Sequence, residues 1–160
     1  CYYRQKSDFS LLIVGAKYAD RPRVNYNMAS LFATELSCAG WPFDIDVIVP
    51  VPIHLLRKIE RGYNQTVPIA KALSKAWGLP IEYDCLVKGR HTKSQVKQKA
   101  HERMRIVENV FLLKHPERIE GKHVLVVDDV LTTGATLDAC LQLLVDAGAR
   151  VSFLTLGLAD

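Results

Sequence analysis

Four consecutive apolar residues followed at once by two aspartates constrain the fold more than any other segment of this chain. Residues 124–127 are apolar without interruption, which predicts a strand buried on both faces of a sheet. Asp128 and Asp129 follow at the carboxyl end of that strand, where open α/β sheets bind their ligands. The turn at 132–136, Thr-Thr-Gly-Ala-Thr, then opens a helix. The segment predicts an α/β fold with a ligand site at the end of a central strand.

The rest of the chain alternates between strand and helix patterns. Strands are predicted at 46–52, 81–87, 110–113, 123–129 and 151–159, and helices at 8–18, 24–38, 64–77, 99–106 and 135–147. Strands that alternate with helices and are continuously apolar indicate a mostly parallel sheet covered on both faces. The length of 160 residues, without internal repeats or linkers, fits a single domain over 1–160.

Composition excludes several classes of protein. The hydrophobic fraction of 49% and the charged fraction of 24% are typical of a soluble globular domain rather than a disordered chain or a coiled coil. No apolar run reaches the roughly eighteen residues of a membrane span, so no membrane insertion is expected. Residues 1–10 lack the charged-then-apolar order of a signal peptide. The start at Cys1 rather than Met leads us to expect a trimmed or partial chain.

The four cysteines are too widely spaced for a zinc ribbon. They stand at positions 1, 38, 85 and 140, with no Cys-x-x-Cys pair. A disulfide framework is not expected in a chain of this length, so the pattern predicts free thiols in the cytoplasm. Apolar neighbours predict that Cys38, Cys85 and Cys140 belong to the core.

Positive charge is concentrated in one segment. The whole chain has 21 basic and 17 acidic residues, but residues 88–105 hold seven basic side chains against the single acid Glu102. This segment is rich in polar residues and shows no apolar periodicity before about Ala100. A solvated surface explains most charge runs. The composition here favours a mobile loop that meets an anion, and charge alone leaves a phosphate metabolite and nucleic acid as alternatives.

The residue types at 128–136 suit a sugar phosphate. Carboxylates suit ribose hydroxyls or a hydrated Mg²⁺, whereas backbone N–H groups at a helix start, with Thr hydroxyls beside them, suit a phosphate. Gly134 permits a close approach of the backbone to such a group. A strand that merely ends in Asp, with a Thr helix cap, explains one acid and one hydroxyl but not two acids and three hydroxyls. A functional role is therefore favoured.

The segment resembles the 5-phosphoribosyl 1-pyrophosphate (PRPP) binding motif of type I phosphoribosyltransferases. Three further segments resemble the competence protein F (ComF) family: 49–65 (VPVPIHLLRKIERGYNQ), 88–95 (KGRHTKSQ) and 102–111 (ERMRIVENVF). The resemblance extends from about residue 11 to 158. It implies a three-layer, Rossmann-like fold with a mostly parallel central sheet, a small helical N-terminal hood at 8–43 and a sheet core at 44–160. Many family members carry a zinc ribbon before this region, and these residues contain none.

The resemblance also implies roles for individual residues. Asp128 and Asp129 are the expected catalytic pair, which holds the ribose 2′- and 3′-hydroxyls. The residues that bind the 5′-phosphate are expected to be Thr132, Thr133, Gly134, Ala135 and Thr136. The residues expected at the pyrophosphate are Val51, Pro52, Arg61, Asn64 and Gln65. The mobile loop at 88–99 is expected to contribute Arg90, Lys93, Ser94 and Gln95.

These roles predict a Mg²⁺-dependent phosphoribosyltransferase whose acceptor is unknown. The reaction displaces pyrophosphate at the ribose anomeric carbon, and no dedicated metal cage is expected because Mg²⁺ binds mainly through PRPP. The sequence leaves a second hypothesis open: a DNA-uptake factor in natural competence that senses PRPP or binds single-stranded DNA without catalysis. Residues 88–105 contain no aromatic residue, which is evidence against a base-stacking surface within that segment. The oligomeric state is not indicated by the sequence, although a homodimer is common in the resembled class.

Overall fold

The computed structural model describes residues 2–3, 22–41, 44–53, 62–88 and 111–159. The helices are α1 (Pro22–Cys38), α2 (Thr66–Trp77) and α3 (Ala135–Asp146), with a 3₁₀ turn at Pro116–Arg118. The strands are β1 (Tyr2–Tyr3), β2 (Val47–Pro50), β3 (Leu86–Lys88), β4 (Phe111–Leu113), β5 (His123–Leu131) and β6 (Arg150–Ala159). The helices predicted at 8–18 and 99–106 lie outside the described residues.

The main sheet is parallel, as predicted. Its order is β1-β6-β5-β2, and every neighbouring pair of strands runs parallel. In the register, Pro50 of β2 is the partner of Val127 of β5, and Asp128 of β5 is the partner of Thr155 of β6. The prediction of an α/β fold with a mostly parallel central sheet is confirmed.

The continuous apolar run of β5 is explained by burial on both faces. Val124 and Val126 pack on one side, against α3 and the β3–β4 hairpin, whereas Leu125 and Val127 pack on the other, against α1 and α2. All four side chains are fully buried. Because successive residues of a strand point to opposite faces, a strand between two helical layers needs apolar residues at every position.

One predicted strand is divided differently in the structure. The segment 81–87 is not one strand of the main sheet: Ile81 makes a single parallel bridge to Ile48, and only Leu86–Lys88 form a strand. That strand pairs antiparallel with β4, with Lys88 opposite Phe111. The bends at 83–85 separate the two parts. The hairpin therefore stands apart from the main sheet and faces α3.

Helix α1 packs on the sheet together with α2. Ala29 and Ala33 are fully buried against Ile69 and Leu73 of α2, in the same core cluster as Leu125. Small side chains let two helices approach closely, because no bulky group separates their axes. Residues 22–38 of the predicted hood thus form part of a helical layer, and the division into a hood at 8–43 and a core at 44–160 stays a prediction.

Helix α2 ends at its predicted last residue, Trp77, and begins slightly later than predicted. Gly78 has a φ of 70° and donates its N–H to Ser74 O at 2.8 Å, which closes the carboxyl end as predicted. The helix begins at Thr66, two residues after the predicted start at residue 64. Asn64 Oδ1 still accepts the Thr66 N–H at 3.2 Å, so its side chain does satisfy a helix-start donor.

Two of the three cysteines predicted in the core are there, and one is not. Cys85 and Cys140 are fully buried, and burial raises the pKa of their thiols to about 11 and about 12. The prediction for Cys38 is wrong, because this residue is exposed. It is the last residue of α1 and follows the exposed Ser37, so it lies beyond the part of the helix that meets the sheet.

Polar side chains connect β2, β5 and β6 at the amino-terminal edge of the sheet. His123 lies with Nδ1 3.2 Å from Asp44 Oδ1 and Nε2 2.9 Å from Ser152 Oγ. Arg150 donates to Asp44 as well, and Asp46 Oδ2 accepts the His123 N–H at 2.7 Å. Among the helices within the described ranges, none is long and apolar enough to cross a membrane.

Candidate functional site

The carboxyl ends of β2 and β5 bring the two predicted ligand segments to one edge of the sheet. The Val51 N–H donates to Val127 O at 2.9 Å, which continues the parallel pairing one residue beyond β2. Val51 and Pro52 therefore lie beside the start of the Asp128–Asp129 pair. Neighbouring parallel strands end at the same edge, so this proximity follows from the sheet topology.

Both aspartates lie within β5, as in the predicted strand at 123–129. The strand runs to Leu131, two residues further than predicted. Asp128 Oδ1 accepts the N–H of Asp129 at 2.8 Å, and Asp129 Oδ1 accepts the N–H of Val130 at 2.7 Å. Each half-buried carboxylate is thus oriented by the backbone N–H of the next residue.

A small cleft joins Asp128 to the following turn. The cleft measures about 50 Å³, and its walls include Asp128, Thr132, Gly134 and Thr136. This volume accommodates a group of a few atoms. Asp129 is not among the described lining residues, and strand alternation directs it to the opposite face from Asp128. The role of Asp129 therefore depends on the family resemblance alone.

The turn between β5 and α3 has the backbone shape that its sequence predicts. Gly134 has a φ of 79°, in the left-handed region where glycine is preferred. The N–H of Ala135, the first residue of α3, lies 3.5 Å from Thr133 Oγ1, at the outer limit of a hydrogen bond. Thr132 and Thr133 are exposed. The helix start thus presents hydroxyls and backbone N–H groups beside Asp128, which is an arrangement suited to a phosphate.

The loop after β2 is held by two side chains from the start of α2. Asn64 Nδ2 donates to Val51 O at 3.0 Å, and Thr66 Oγ1 lies 2.9 Å from the same oxygen. Asn64, predicted to bind pyrophosphate, thus already uses its amide nitrogen to position the loop. The sequence interpretation missed Thr66, whose only signal was a hydroxyl residue at a helix start, and that signal is equally typical of a simple cap.

Gln65 supplies a buried amide that can donate to an anion. The residue is 2% exposed, and its Nε2 has no hydrogen-bond partner within the described part of the chain. An unpaired buried donor costs about 1–3 kcal/mol, which an anionic oxygen would recover. The backbone carbonyl of Gln65 accepts a hydrogen bond from Nδ2 of the buried Asn25 at 3.3 Å. This contact joins α1 to the residue before α2, and no local sequence pattern indicates it. Gln65 therefore remains a good candidate for the pyrophosphate.

A large cleft opens on the α2 side of this loop. It has a volume of about 1130 Å³, and Pro52, Asn64 and Val67 are among the residues that line it. Tyr26 of α1 and Lys88 of β3 line other parts of it. The large cleft thus lies beside the predicted pyrophosphate loop at the start of α2, whereas the small cleft lies at the start of α3.

Several predicted contacts lie outside the described residues. These are Arg61 of the pyrophosphate set and Arg90, Lys93, Ser94 and Gln95 of the predicted mobile loop. Their attachment points are described: Lys88 and Phe111 face each other across the hairpin, with Lys88 Nζ 5.1 Å from the Phe111 ring centroid. The segment 89–110 therefore connects Lys88, which lines the large cleft, to its strand partner Phe111.

Comparison with known proteins identifies the class. The phosphoribosyl transferase domain family matches residues 64–157, more than half of the chain. The allosteric regulatory enzyme of purine biosynthesis superposes with a TM-score of 0.59 at 23% identity, over 82% of this chain and 25% of that one. Adenine phosphoribosyltransferase superposes with a TM-score of 0.57 at 17% identity, over 87% of this chain and 72% of that one. The chain belongs to the phosphoribosyl transferase domain family.

Relatives in sequence narrow the assignment to the ComF family. The DNA utilization protein YhgH of Salmonella typhi is 33% identical over 144 residues, which is 88% of this chain and 62% of that protein. Competence protein F of Haemophilus influenzae is 33% identical over 66% of this chain and 46% of its own length. Competence protein ComFC of Bacillus subtilis is 36% identical over 69% of this chain and 43% of its own length. The predicted ComF membership is confirmed, and the chain spans less than two thirds of these relatives.

Proposed function

We propose that this chain binds PRPP at the edge formed by β2 and β5 and acts as a Mg²⁺-dependent phosphoribosyltransferase. The observation that carries the proposal is the small cleft, in which Asp128 faces Thr132, Gly134 and Thr136. Its walls combine an acceptor for ribose hydroxyls with donors for a 5′-phosphate. A cap-and-strand structure needs no such cleft.

The predicted groups bind three different parts of the substrate. Asp128 and Asp129 accept hydrogen bonds from the ribose hydroxyls, and the turn at 132–136 donates to the 5′-phosphate. Val51, Pro52 and the amide of Gln65 meet the pyrophosphate on the β2 side, where Arg61 follows in the sequence. A ligand held at both ends leaves its anomeric carbon between the two clefts, oriented for attack.

The reaction exchanges one bond at that carbon. The bond to the pyrophosphate oxygen breaks, pyrophosphate leaves with the electron pair, and the acceptor's lone pair forms the new bond. Positive charge develops on the ribose as in glycoside cleavage, so the carboxylates of Asp128 and Asp129 stabilise it electrostatically. The cations of 88–99 are expected to neutralise the leaving group and exclude water.

Magnesium fits the donor set as an ion carried by the substrate. Within the described ranges, no group of three or more His, Cys, Asp or Glu side chains could hold a metal ion. Mg²⁺ commonly binds through one or two carboxylates together with substrate phosphates, and Asp128 and Asp129 supply carboxylates of that kind. When bound, the ion would neutralise charge on the departing pyrophosphate.

Calorimetry with PRPP tests the proposal directly. We expect PRPP to bind only with Mg²⁺ present, and Asp128→Asn to weaken binding at least about tenfold, because charge-assisted hydrogen bonds to the ribose are lost. Asp138→Asn is the matched control: this exposed acid stands in the first turn of α3 outside the small cleft, and it should leave binding unchanged. Absence of PRPP binding by the intact chain would contradict the proposal.

A second function is supported by the relatives. Their names associate them with DNA utilization and competence. In this alternative, the chain senses PRPP and binds single-stranded DNA without catalysis. It would use the same PRPP site, but no acceptor substrate would bind beside it. Release of pyrophosphate from PRPP in the presence of candidate acceptors distinguishes the two, because a sensor binds PRPP and releases none. A cytoplasmic location and a homodimer stay predictions in both cases.

A further inference from the structure

Helices α1 and α2 run in the same direction, and side-chain hydrogen bonds join them at both ends. At their starts, Asn25 Nδ2 donates to the carbonyl of Gln65, the residue directly before α2, at 3.3 Å. At their ends, Trp77 Nε1 donates to Ser37 Oγ at 2.9 Å. Each contact joins residues 40 positions apart, so the two helices keep one register along their length. The start of α1 therefore lies beside the start of α2.

The start of α2 is held from two sides. On one side, Asn64 Nδ2 and Thr66 Oγ1 contact Val51 O at 3.0 and 2.9 Å. On the other side, the carbonyl of Gln65, which stands between them in the sequence, accepts the hydrogen bond from Asn25. Because peptide units are rigid planes, a displacement of the Gln65 carbonyl moves its two neighbours as well. These three residues thus connect α1 to the loop after β2.

The contact between Asn25 and Gln65 is shielded from water. The two residues are 4% and 2% exposed, so the hydrogen bond is electrostatically stronger than one in water, and loss of its donor would leave a buried carbonyl unpaired. The Gln65 side chain makes no cap hydrogen bond to α2, and its Nε2 has no partner within the described ranges. The backbone of this buried donor is therefore held in place from another helix, which is how a preorganised anion contact is built.

We propose that Asn25 is a positioning residue for the pyrophosphate end of PRPP, a role that rests on the proposed function. Its hydrogen bond fixes the backbone of Gln65, and with it the Gln65 amide and the loop at Val51. Asn25 is not among the described residues that line either cleft, so it acts through the start of α2 rather than by touching the substrate. The turn expected at the 5′-phosphate belongs to β5 and α3, and it is independent of this contact.

Calorimetry with Mg²⁺ measures the two ends of the substrate separately when PRPP, inorganic pyrophosphate and ribose 5-phosphate are compared. We expect Asn25→Leu, which is close in size but has no donor, to weaken PRPP and pyrophosphate binding about fivefold, the net effect of one hydrogen bond. Ribose 5-phosphate affinity should change less than about twofold, because this ligand lacks the pyrophosphate. Its retained binding also shows that the variant is folded.

Ser37→Ala is the matched control, because it removes the hydrogen bond at the other end of the same two helices. We expect this variant to bind all three ligands as the wild type does, whatever stability it loses in urea denaturation. Asn25→Ser carries a hydroxyl that is too short for the contact with Gln65. It takes the place of the leucine variant if that one does not fold, and the same selective loss is expected.

Three outcomes would overturn the positioning role. One is unchanged pyrophosphate affinity in the Asn25 variants. Another is equal weakening of pyrophosphate and ribose 5-phosphate, which would indicate a general loss of structure. The third is the same selective loss in Ser37→Ala. Absence of PRPP binding by the wild type is a different result, since it rejects the proposed function and the role of Asn25 with it.

Discussion

The carbonyl of Val51 shows how single side chains shape the candidate site. Its oxygen accepts a hydrogen bond from Asn64 Nδ2 at 3.0 Å. The same oxygen lies 2.9 Å from Thr66 Oγ1, within hydrogen-bond distance. Thr66 is 2% exposed, so its hydroxyl would be costly to leave unpaired. The two contacts hold the loop after β2 against the start of α2, and the conformation of that loop sets where Pro52 meets a ligand.

Removal of the Thr66 hydroxyl should loosen this loop. We expect Thr66→Val to lower the free energy of unfolding by about 1 kcal/mol, the usual net value of one buried hydrogen bond. PRPP affinity should fall as well, because the loop is no longer positioned. Thr66→Ser keeps the hydroxyl and serves as the control in urea unfolding and calorimetry. Equal stability of the valine and serine variants would show that the contact contributes nothing.

The strand β5 and its two helical layers carry the stability of the fold. Leu73 of α2 is fully buried against the face of the sheet that carries Leu125. Leu31 of α1 is 71% exposed, although both leucines stand in helices that pack on the same face of the sheet. Substitution of these two leucines therefore separates the contribution of core packing to stability from the contribution of helix propensity.

Truncation of these two leucines should change the free energy of unfolding by very different amounts. Leu73→Ala is expected to lower the free energy of unfolding by about 2–5 kcal/mol, because it removes buried apolar area and leaves a cavity. Leu31→Ala should change it by less than about 0.5 kcal/mol, since the side chain is already in water and Ala favours the helix. Urea denaturation of both variants measures the difference, and comparable losses would contradict the packing described for α1 and α2.

The amino-terminal edge of the sheet connects parts of the molecule that are far apart in sequence. Asp44 contacts Arg150 and His123, and its own φ of 47° lies in the left-handed region. The hydrogen bond from Arg150 is the main reason that the pKa of Asp44 lies below its usual value of 3.8. Desolvation opposes it, and the hydrogen bond from His123 adds a smaller lowering effect. The lowered pKa means that the charged form of Asp44 favours the folded chain.

This contact predicts a defined pH dependence of stability. The contribution of a carboxylate with a lowered pKa is present above its unfolded value, near 3.8, and is lost as pH falls through the folded pKa. Asp44→Asn, which tolerates a positive φ, should therefore be less stable than the wild type near neutral pH. The difference should shrink in acid below pH 3.8. Denaturation at several pH values, with Asp138→Asn as control, would contradict the role of Asp44 if the difference stayed constant.

Much of the fold was predictable because its signals are local. The apolar run at 124–127 indicates a doubly covered strand, and Gly78 and Gly134 mark a helix end and a helix start, because their backbone shapes suit glycine. The family resemblance added the site, and the small cleft indeed joins Asp128 to the turn at 132–136. The division of 81–87 between a bridge and a hairpin was not predictable, because an apolar run does not specify its partner strand.

By itself, the sequence determined the helices near 24–38, 64–77 and 135–147, the mostly parallel sheet and the pairing of acids with a hydroxyl-rich turn. Hydrophobic periodicity and turn-forming residues depend only on neighbours in the sequence, so they indicate helices, strands and turns before the tertiary structure is known. Only the tertiary structure decided that Tyr26, Tyr83 and Lys71 share a cleft and that Cys38 is exposed. It also decided that the side-chain nitrogen of Gln65 is buried with no partner among the described residues. Those facts depend on how distant segments pack, and packing is a property of the whole chain rather than of any window within it.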